Sequence, residues 1–171
     1  ATVCGFTEEE ILKKYTEDIE AFAEENEMTY DEAVAALRNH YDGYHFSEKS
    51  PGIYNPFSII NALDDKELNS YWFSSGTPTF LVELLQKKGL DMLQLDDLWA
   101  SDKRFDVPTE KISDPIPVLY QSGYLTIKEY DKQSRQYRLG FPNEEVRQGF
   151  STSLFRYYSP DGMGKYDALY R

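Results

Sequence analysis

Helix-start signals recur along this chain, and they confine it to short helices joined by turns. Thr7 and Glu10 form a capping box, in which a Thr hydroxyl and a Glu carboxylate satisfy backbone N–H groups that a helix start leaves free. Thr29 and Glu32 repeat the device. Asn55-Pro56 and Thr77-Pro78 pair a capping side chain with proline at the first helical position, where its missing N–H costs nothing. Asn143 is placed to cap a last helix. Stop signals answer the starts: Gly43, Gly89 and Gly123 each follow a helical pattern, and glycine accepts the left-handed conformation of a helix terminus.

The apolar spacing between these signals is helical over most of the chain. Ile11, Leu12, Tyr15, Ile19 and Phe22 predict a helix over 8–26 with a break near Thr16. Ala33, Leu37 and Tyr41 predict the next, and the stretch from Tyr41 to Tyr54 reads as a short hairpin or an extended loop. Phe57, Ile60 and Leu63 give the buried face of a third helix, and Phe80, Leu81, Leu84 and Leu85 mark a fourth. The stretch 90–106 is ambiguous, with a short helix expected around 96–100. Ile116, Leu119 and Tyr120 mark another short helix. Residues 124–128 and 136–141 then alternate like strands around a polar tip at 130–135. A final helix carries Val146, Phe150, Leu154 and Tyr157. Helix, hairpin, helix is the ending of a winged-helix module. The expected fold is mainly α with a small β-hairpin: a helical bundle over 1–98, then a winged-helix-like module over 99–171.

Composition narrows the function. The 171 residues carry a net charge of −12, which repels phosphate backbones and argues against a general nucleic-acid binder. The charge is uneven, acidic before residue 70 and locally basic from Lys128 to Arg138. A single cysteine, Cys4, allows no internal disulfide and suits a reducing compartment. No run approaches the roughly 20 apolar residues that span a bilayer, and no basic segment leads into an apolar one, so a cytoplasmic protein is expected. The chain opens on Ala1 and enters a helix almost at once, which leads us to expect further sequence upstream.

Several phrases resemble the predicted AAA-ATPase-like proteins of gut and anaerobic bacteria. They are Gly5-Phe6-Thr7-Glu8-Glu9-Glu10, Tyr41-Asp42-Gly43-Tyr44-His45-Phe46, Tyr54-Asn55-Pro56-Phe57-Ser58, the stretch from Tyr71 to Leu81, Tyr120-Gln121-Ser122-Gly123-Tyr124-Leu125 and Pro142-Asn143-Glu144-Glu145-Val146. They stand in the family's order and span most of the chain. The resemblance implies a P-loop ATPase core upstream of residue 1, with its ATP and magnesium, and a restriction-endonuclease-like nuclease domain downstream. This chain is then the helical lid followed by the winged-helix-like module.

The residues themselves hold no P-loop. That loop needs Gly-x-x-x-x-Gly-Lys-Ser/Thr, and Gly164-Lys165 is followed by Tyr166, which cannot supply the magnesium-binding hydroxyl. Leu95-Asp96-Asp97 imitates a Walker B strand but lacks the apolar run before it. No catalytic residue and no ATP turnover are expected of this chain alone. Asp42, Gly43 and Tyr44 in one turn, with the Asn55-Pro56 helix start, are candidate nucleotide-facing positions of the lid, since a helix start offers free N–H groups and partial positive charge. Ordinary turn and capping chemistry is the alternative. Ser75-Gly76-Thr77-Pro78 resembles the Gly-x-Pro turn of signalling ATPase lids, with the same alternative. His40 and His45 flank Asp42, but neighbouring turn residues rarely converge on one ion, so no metal is expected. Cys4 reads as packing. Lys128, Lys132, Arg135 and Arg138 place charge on the wing for a partner or nucleic acid. The helix before the wing carries no Lys or Arg, so contact with a protein neighbour is favoured over DNA.

Overall fold

The computed structural model describes residues 5–45, 52–72, 79–106 and 113–158, with only the backbone described for 156–158. Cys4, the Ser75–Pro78 turn and Gly164-Lys165 lie outside the described residues. The N-terminal part holds α1 (Glu8–Lys14), α2 (Thr16–Glu25), α3 (Tyr30–Tyr41) and α4 (Pro56–Asp65). Both capping boxes form. Glu10 N donates to Thr7 Oγ1 at 3.3 Å while Thr7 N donates to Glu10 Oε2 at 2.9 Å. The Thr29–Glu32 pair does the same at 3.2 and 2.8 Å. The expected break near Thr16 falls at Tyr15, which leaves helical geometry between α1 and α2. Ile11, Ile19, Phe22, Leu37, Tyr41, Tyr54 and Ile59 are among the buried side chains of a first apolar cluster. The stretch after α3 is tied down by isolated antiparallel bridges, Tyr44 with Ile53 and Phe6 with Tyr54.

The buried face of α4 differs from the spacing reading. Phe57 is 55% exposed and Ile60 36%, while Ser58, Ile59, Ala62 and Leu63 are buried. Ile59, Ala62 and Leu63 satisfy helical periodicity equally well. Ser58 decides between the two phases, because its hydroxyl donates to a buried carboxylate, Glu145 Oε1, at 2.8 Å.

The C-terminal part contains α5 (Thr79–Lys88), α6 (Met92–Asp96), β1 (Leu98–Ser101), a 3-10 turn (Asp102–Phe105), α7 (Pro115–Gln121), β2 (Thr126–Asp131), β3 (Gln136–Gly140) and α8 (Glu144–Tyr158). The described chain is therefore mostly helical with a small antiparallel sheet, in the order β1-β3-β2. The short helix expected around 96–100 is instead strand β1. Leu98 pairs with Leu139 and Ala100 with Tyr137, so the hairpin gains a third strand. Asp97 ends α6, and the next four residues gain the open edge of β3, a better outlet for their backbone groups than a single helical turn. A second apolar cluster forms on this sheet from α7, α8 and also α5 and α6, through Leu81, Val82, Leu85 and Leu95. The sequence reading grouped α5 and α6 with the N-terminal helices; their buried side chains pack with the C-terminal ones.

The ends of α2, α4, α5 and α7 share one geometry. After α5, Gly89 N donates to Gln86 O and Leu90 N to Leu85 O, the paired bonds of a Schellman motif with Gly89 at φ 66°. Gly123 closes α7 in the same way. Glu27 and Lys66 take the same left-handed position after α2 and α4, where no glycine marks it.

Gly43 differs from Gly89 in what surrounds it. At φ 103° a Cβ there would come within 2.1 Å of the Pro142 carbonyl oxygen, whereas a Cβ on Gly89 would meet nothing within 4 Å. Gly43→Ala should therefore lose about 3 kcal/mol or more of stability, through strain and collision together, and Gly89→Ala only about 1 kcal/mol from its backbone angle. Urea unfolding of both variants checks this; equal losses would mean that the chain after α3 does not rest on Pro142.

Candidate functional site

The segment Asp42–His45 leaves the end of α3 and crosses onto the second cluster. Gly43 lies against Pro142, as its missing side chain allows. His45 N donates to Thr126 Oγ1 at 2.9 Å, and that hydroxyl donates in turn to His45 O at 3.2 Å. Tyr44 packs against the second cluster, with its phenol beside the Asn55 and Asn143 side chains. Burial raises its pKa, and the charge of Glu145 adds to the effect. Asn55 is occupied as the cap of α4, its Oδ1 accepting from Phe57 N at 3.0 Å and Ser58 N at 3.3 Å. Pro56 is the first residue of that helix. The structure thus brings Asp42, Gly43, Tyr44 and Asn55 to one junction between the two clusters.

Glu145 is the centre of that junction. It sits in the first turn of α8 and is fully buried. Its carboxylate accepts from Ser58 Oγ at 2.8 Å and from Trp72 N at 3.3 Å, and its backbone carbonyl accepts from Ser70 Oγ at 3.2 Å. Burial pushes its pKa up to about 7, with the bonds from Ser58 and from the backbone of Trp72 and Tyr71 resisting the shift. The sequence reading named it within a resemblance phrase but gave it no role. A Glu in the first turn of a helix reads as an exposed partner of the helix dipole, and its signal was only its adjacency to the apolar stripe of Val146 and Phe150.

Beside this buried junction a cleft of about 300 Å³ opens to solvent. The end of α3 lines one side with Arg38, Asn39, Asp42 and Gly43. The turn into α8 lines the other with Phe141, Pro142, Asn143 and Glu144, and Arg147 and Lys128 complete it. The volume is at the lower end of the range for small-molecule sites. Arg38 holds Glu8 at 2.6 Å, and Arg147 pairs with Asp96 and, at 3.6 Å, with Glu144. Burial raises the Asp42 pKa, against a backbone bond from Gly43 that lowers it.

The chain is 30% identical over 169 residues to an uncharacterized protein from the vnfD 5′ region of Azotobacter chroococcum mcd 1. The match takes in 94% of this chain but 29% of that protein, so the chain spans less than a third of its relative's length. No family model and no solved structure matches it.

The basic residues of the wing have separate surroundings. Lys128 turns to the cleft, and its pKa is lowered by crowding of protein around its amine although the residue reaches solvent. Arg135 pairs with Asp102 at 3.0 Å. Arg138 pairs with Glu129 at 3.1 Å and lies 3.8 Å from Asp97. Lys132 is exposed at the hairpin tip. The Leu95-Asp96-Asp97 decoy has a structural role, since both carboxylates serve arginines of α8 and β3. His40 is buried with its ring edge-on to Tyr41, and burial lowers its pKa. Among the described residues no group of His, Cys, Asp and Glu is placed to hold a metal ion, and no helix is long and apolar enough to cross a membrane.

Glu145 sets a pH dependence. Its folded pKa, about 7, lies above the ordinary value of 4.5, so the folded state binds the proton more tightly than the unfolded chain. The stability it supports is complete below pH 4.5 and is lost as pH rises to about 7. Glu145→Gln keeps an acceptor for Trp72 N and an N–H for Ser58 Oγ but cannot ionise. The variant should gain stability relative to the parent as pH rises from 4.5 to 7, with the difference constant above that. Thermal melts of both proteins across this range test it, and a difference that does not vary with pH would place the ionisation elsewhere.

Proposed function

We propose that this chain is the non-catalytic lid and winged-helix-like portion of a larger P-loop ATPase-like protein, passing nucleotide state to a partner or nuclease-like domain. The observation that carries this reading is the division of the interior into two apolar clusters joined through a polar junction. A relay needs two bodies that each hold together while the contact between them is open to change. Apolar packing resists such change, whereas a junction of hydrogen bonds can exchange protein partners for water. The Asp42–His45 crossing and the Glu145 bonds are of the second kind.

Further features support the reading. The order α7, β2, β3, α8 with β1 on the free edge of β3 suits a winged helix. Phe57 and Ile60 share a face of α4 and stay exposed, as a surface meeting an upstream core would. The relative found is much longer than this chain, which suits a module of a larger protein. The resemblance that supplies the ATPase core rests on the sequence phrases, and three of them meet at the junction through Tyr44, Asn55 and Glu145. A DNA-binding adaptor draws less support, because Arg135 and Arg138 are held by carboxylates.

ATP turnover decides the matter. This chain alone should give none, and the same chain extended through its upstream sequence should hydrolyse ATP. Turnover that copurifies with the isolated chain would refute the reading, and silence of the extended protein would move the assignment to a binding adaptor.

A further inference from the structure

The two apolar clusters meet along a seam that is polar where α8 faces α4. Glu145 stands at its centre with no exposed surface. Among the described residues, the groups that act on its carboxylate are Ser58 and the backbone of Trp72 and Tyr71, and none of them is a cation. A buried carboxylate without a counter-ion gives up its hydration and recovers part of it from dipoles alone. Here the dipoles are the Ser58 hydroxyl, two backbone N–H groups and the start of α8, whose first N–H groups carry partial positive charge. They serve the charge less well than water does, yet well enough to keep the ionised form within reach of neutral pH.

The neutral carboxyl is equally well served in the same place. Its O–H can donate to Ser58 Oγ, 2.8 Å away, because a serine hydroxyl accepts as readily as it donates. The other oxygen still accepts from Trp72 N. Other titratable groups line the seam. Tyr41 and Tyr44 approach from the end of α3, and burial raises both phenols further above their ordinary value. His40, also on α3, is acted on by Glu144, and burial lowers it below 6.5, so it is neutral from that pH upward. Glu144 itself is taken up by Arg147 and by Gln148 Nε2 at 3.1 Å. The Tyr71 phenol donates to Asp65 Oδ2 at 3.0 Å. Asp42 and His45, on the crossing from α3, are not among the groups that act on Glu145.

We propose that this seam is a proton-operated latch: with its proton Glu145 ties α8 to α4, and on losing it the seam takes up water and opens while each cluster stays folded. The inference rests on the relay reading, in which the junction is the moving part, and names what sets its state. Every group it needs is in this chain.

Hydrogen exchange of the isolated chain, followed at single amides from pH 4.5 to above 7, is the test. Trp72 N is bonded to the Glu145 carboxylate and His45 N to Thr126 of β2, so both report the seam. Phe22 in α2 and Leu139 in β3 report the two interiors. A carboxyl released to water returns from about 7 to its ordinary 4.5. Opening should therefore rise about tenfold per pH unit between these values, about 300-fold in all, and level off above them. Protection of Trp72 and His45, corrected for intrinsic exchange, should fall together by that factor. It should stay at least tenfold below that of Phe22 and Leu139 and respond less to added urea. In Glu145→Gln it should not vary with pH. Ser58→Ala removes a bond that lowers the carboxyl's pKa, so it should move the levelling to higher pH, and it serves should Glu145→Gln not fold. Seam amides as protected and as urea-sensitive as the interiors overturn the proposal. So does a pH dependence that is absent, confined to Trp72, retained in Glu145→Gln or unmoved in Ser58→Ala. None of these rates depends on ATP turnover by the extended protein, so the latch and the ATPase assignment fail separately.

Discussion

A carboxylate buried between two apolar clusters organises this molecule. Burying an ionised Glu is costly unless its oxygens are met by donors. Glu145 meets that condition with a serine of α4 and backbone N–H groups just before the α5 region, and so fixes α8 against segments far apart in sequence. The phase of α4 follows from it, because Ser58 must face inward. The exposure of Phe57 follows in turn. Tyr44 completes the arrangement by carrying the end of α3 across to the second cluster.

The cleft shows how charges of both signs are interleaved on an acidic chain. Most of its arginines are held by nearby carboxylates, as in the pairs of Arg104 with Asp114 and Arg135 with Asp102. Such exposed pairs contribute little stability but cancel field. Lys128 makes no ion pair within 4 Å among the described residues, though Asp96 and Asp42 favour its charge from farther off. The buried polar groups here, the Asn143 amide and the Tyr44 phenol, lie beside each other.

Local chemistry was legible in the sequence wherever it is written within a few residues. The capping boxes at Thr7 and Thr29, the Asn55 cap and the glycine stops at Gly89 and Gly123 each depend on neighbours in the chain, and each formed. What failed depends on distant partners. Strand β1 exists because β3 offers it an edge some forty residues later, and Leu-Trp-Ala-Ser alone does not announce this. Ile60 and Ile59 are interchangeable to a periodicity argument until Glu145 chooses between them. The left-handed ends at Glu27 and Lys66 carry no glycine to betray them. Of the candidate site, the Asp42–Tyr44 turn and Lys128 were read from the sequence in separate roles, Glu145 stood only within a resemblance phrase, and Arg38 and Arg147 were not singled out.

The contact between Ser58 and Glu145 spans 87 positions, and this separation orders events during synthesis. The first cluster is built from residues 11–63 and can close as soon as that length has left the ribosome. At that moment Ser58 still has only water to bond. The remaining helices and the sheet must emerge before α8 brings the carboxylate that replaces it. The seam at Ser58 therefore stays hydrated until α8 has been made, and Glu145 is the group that closes it.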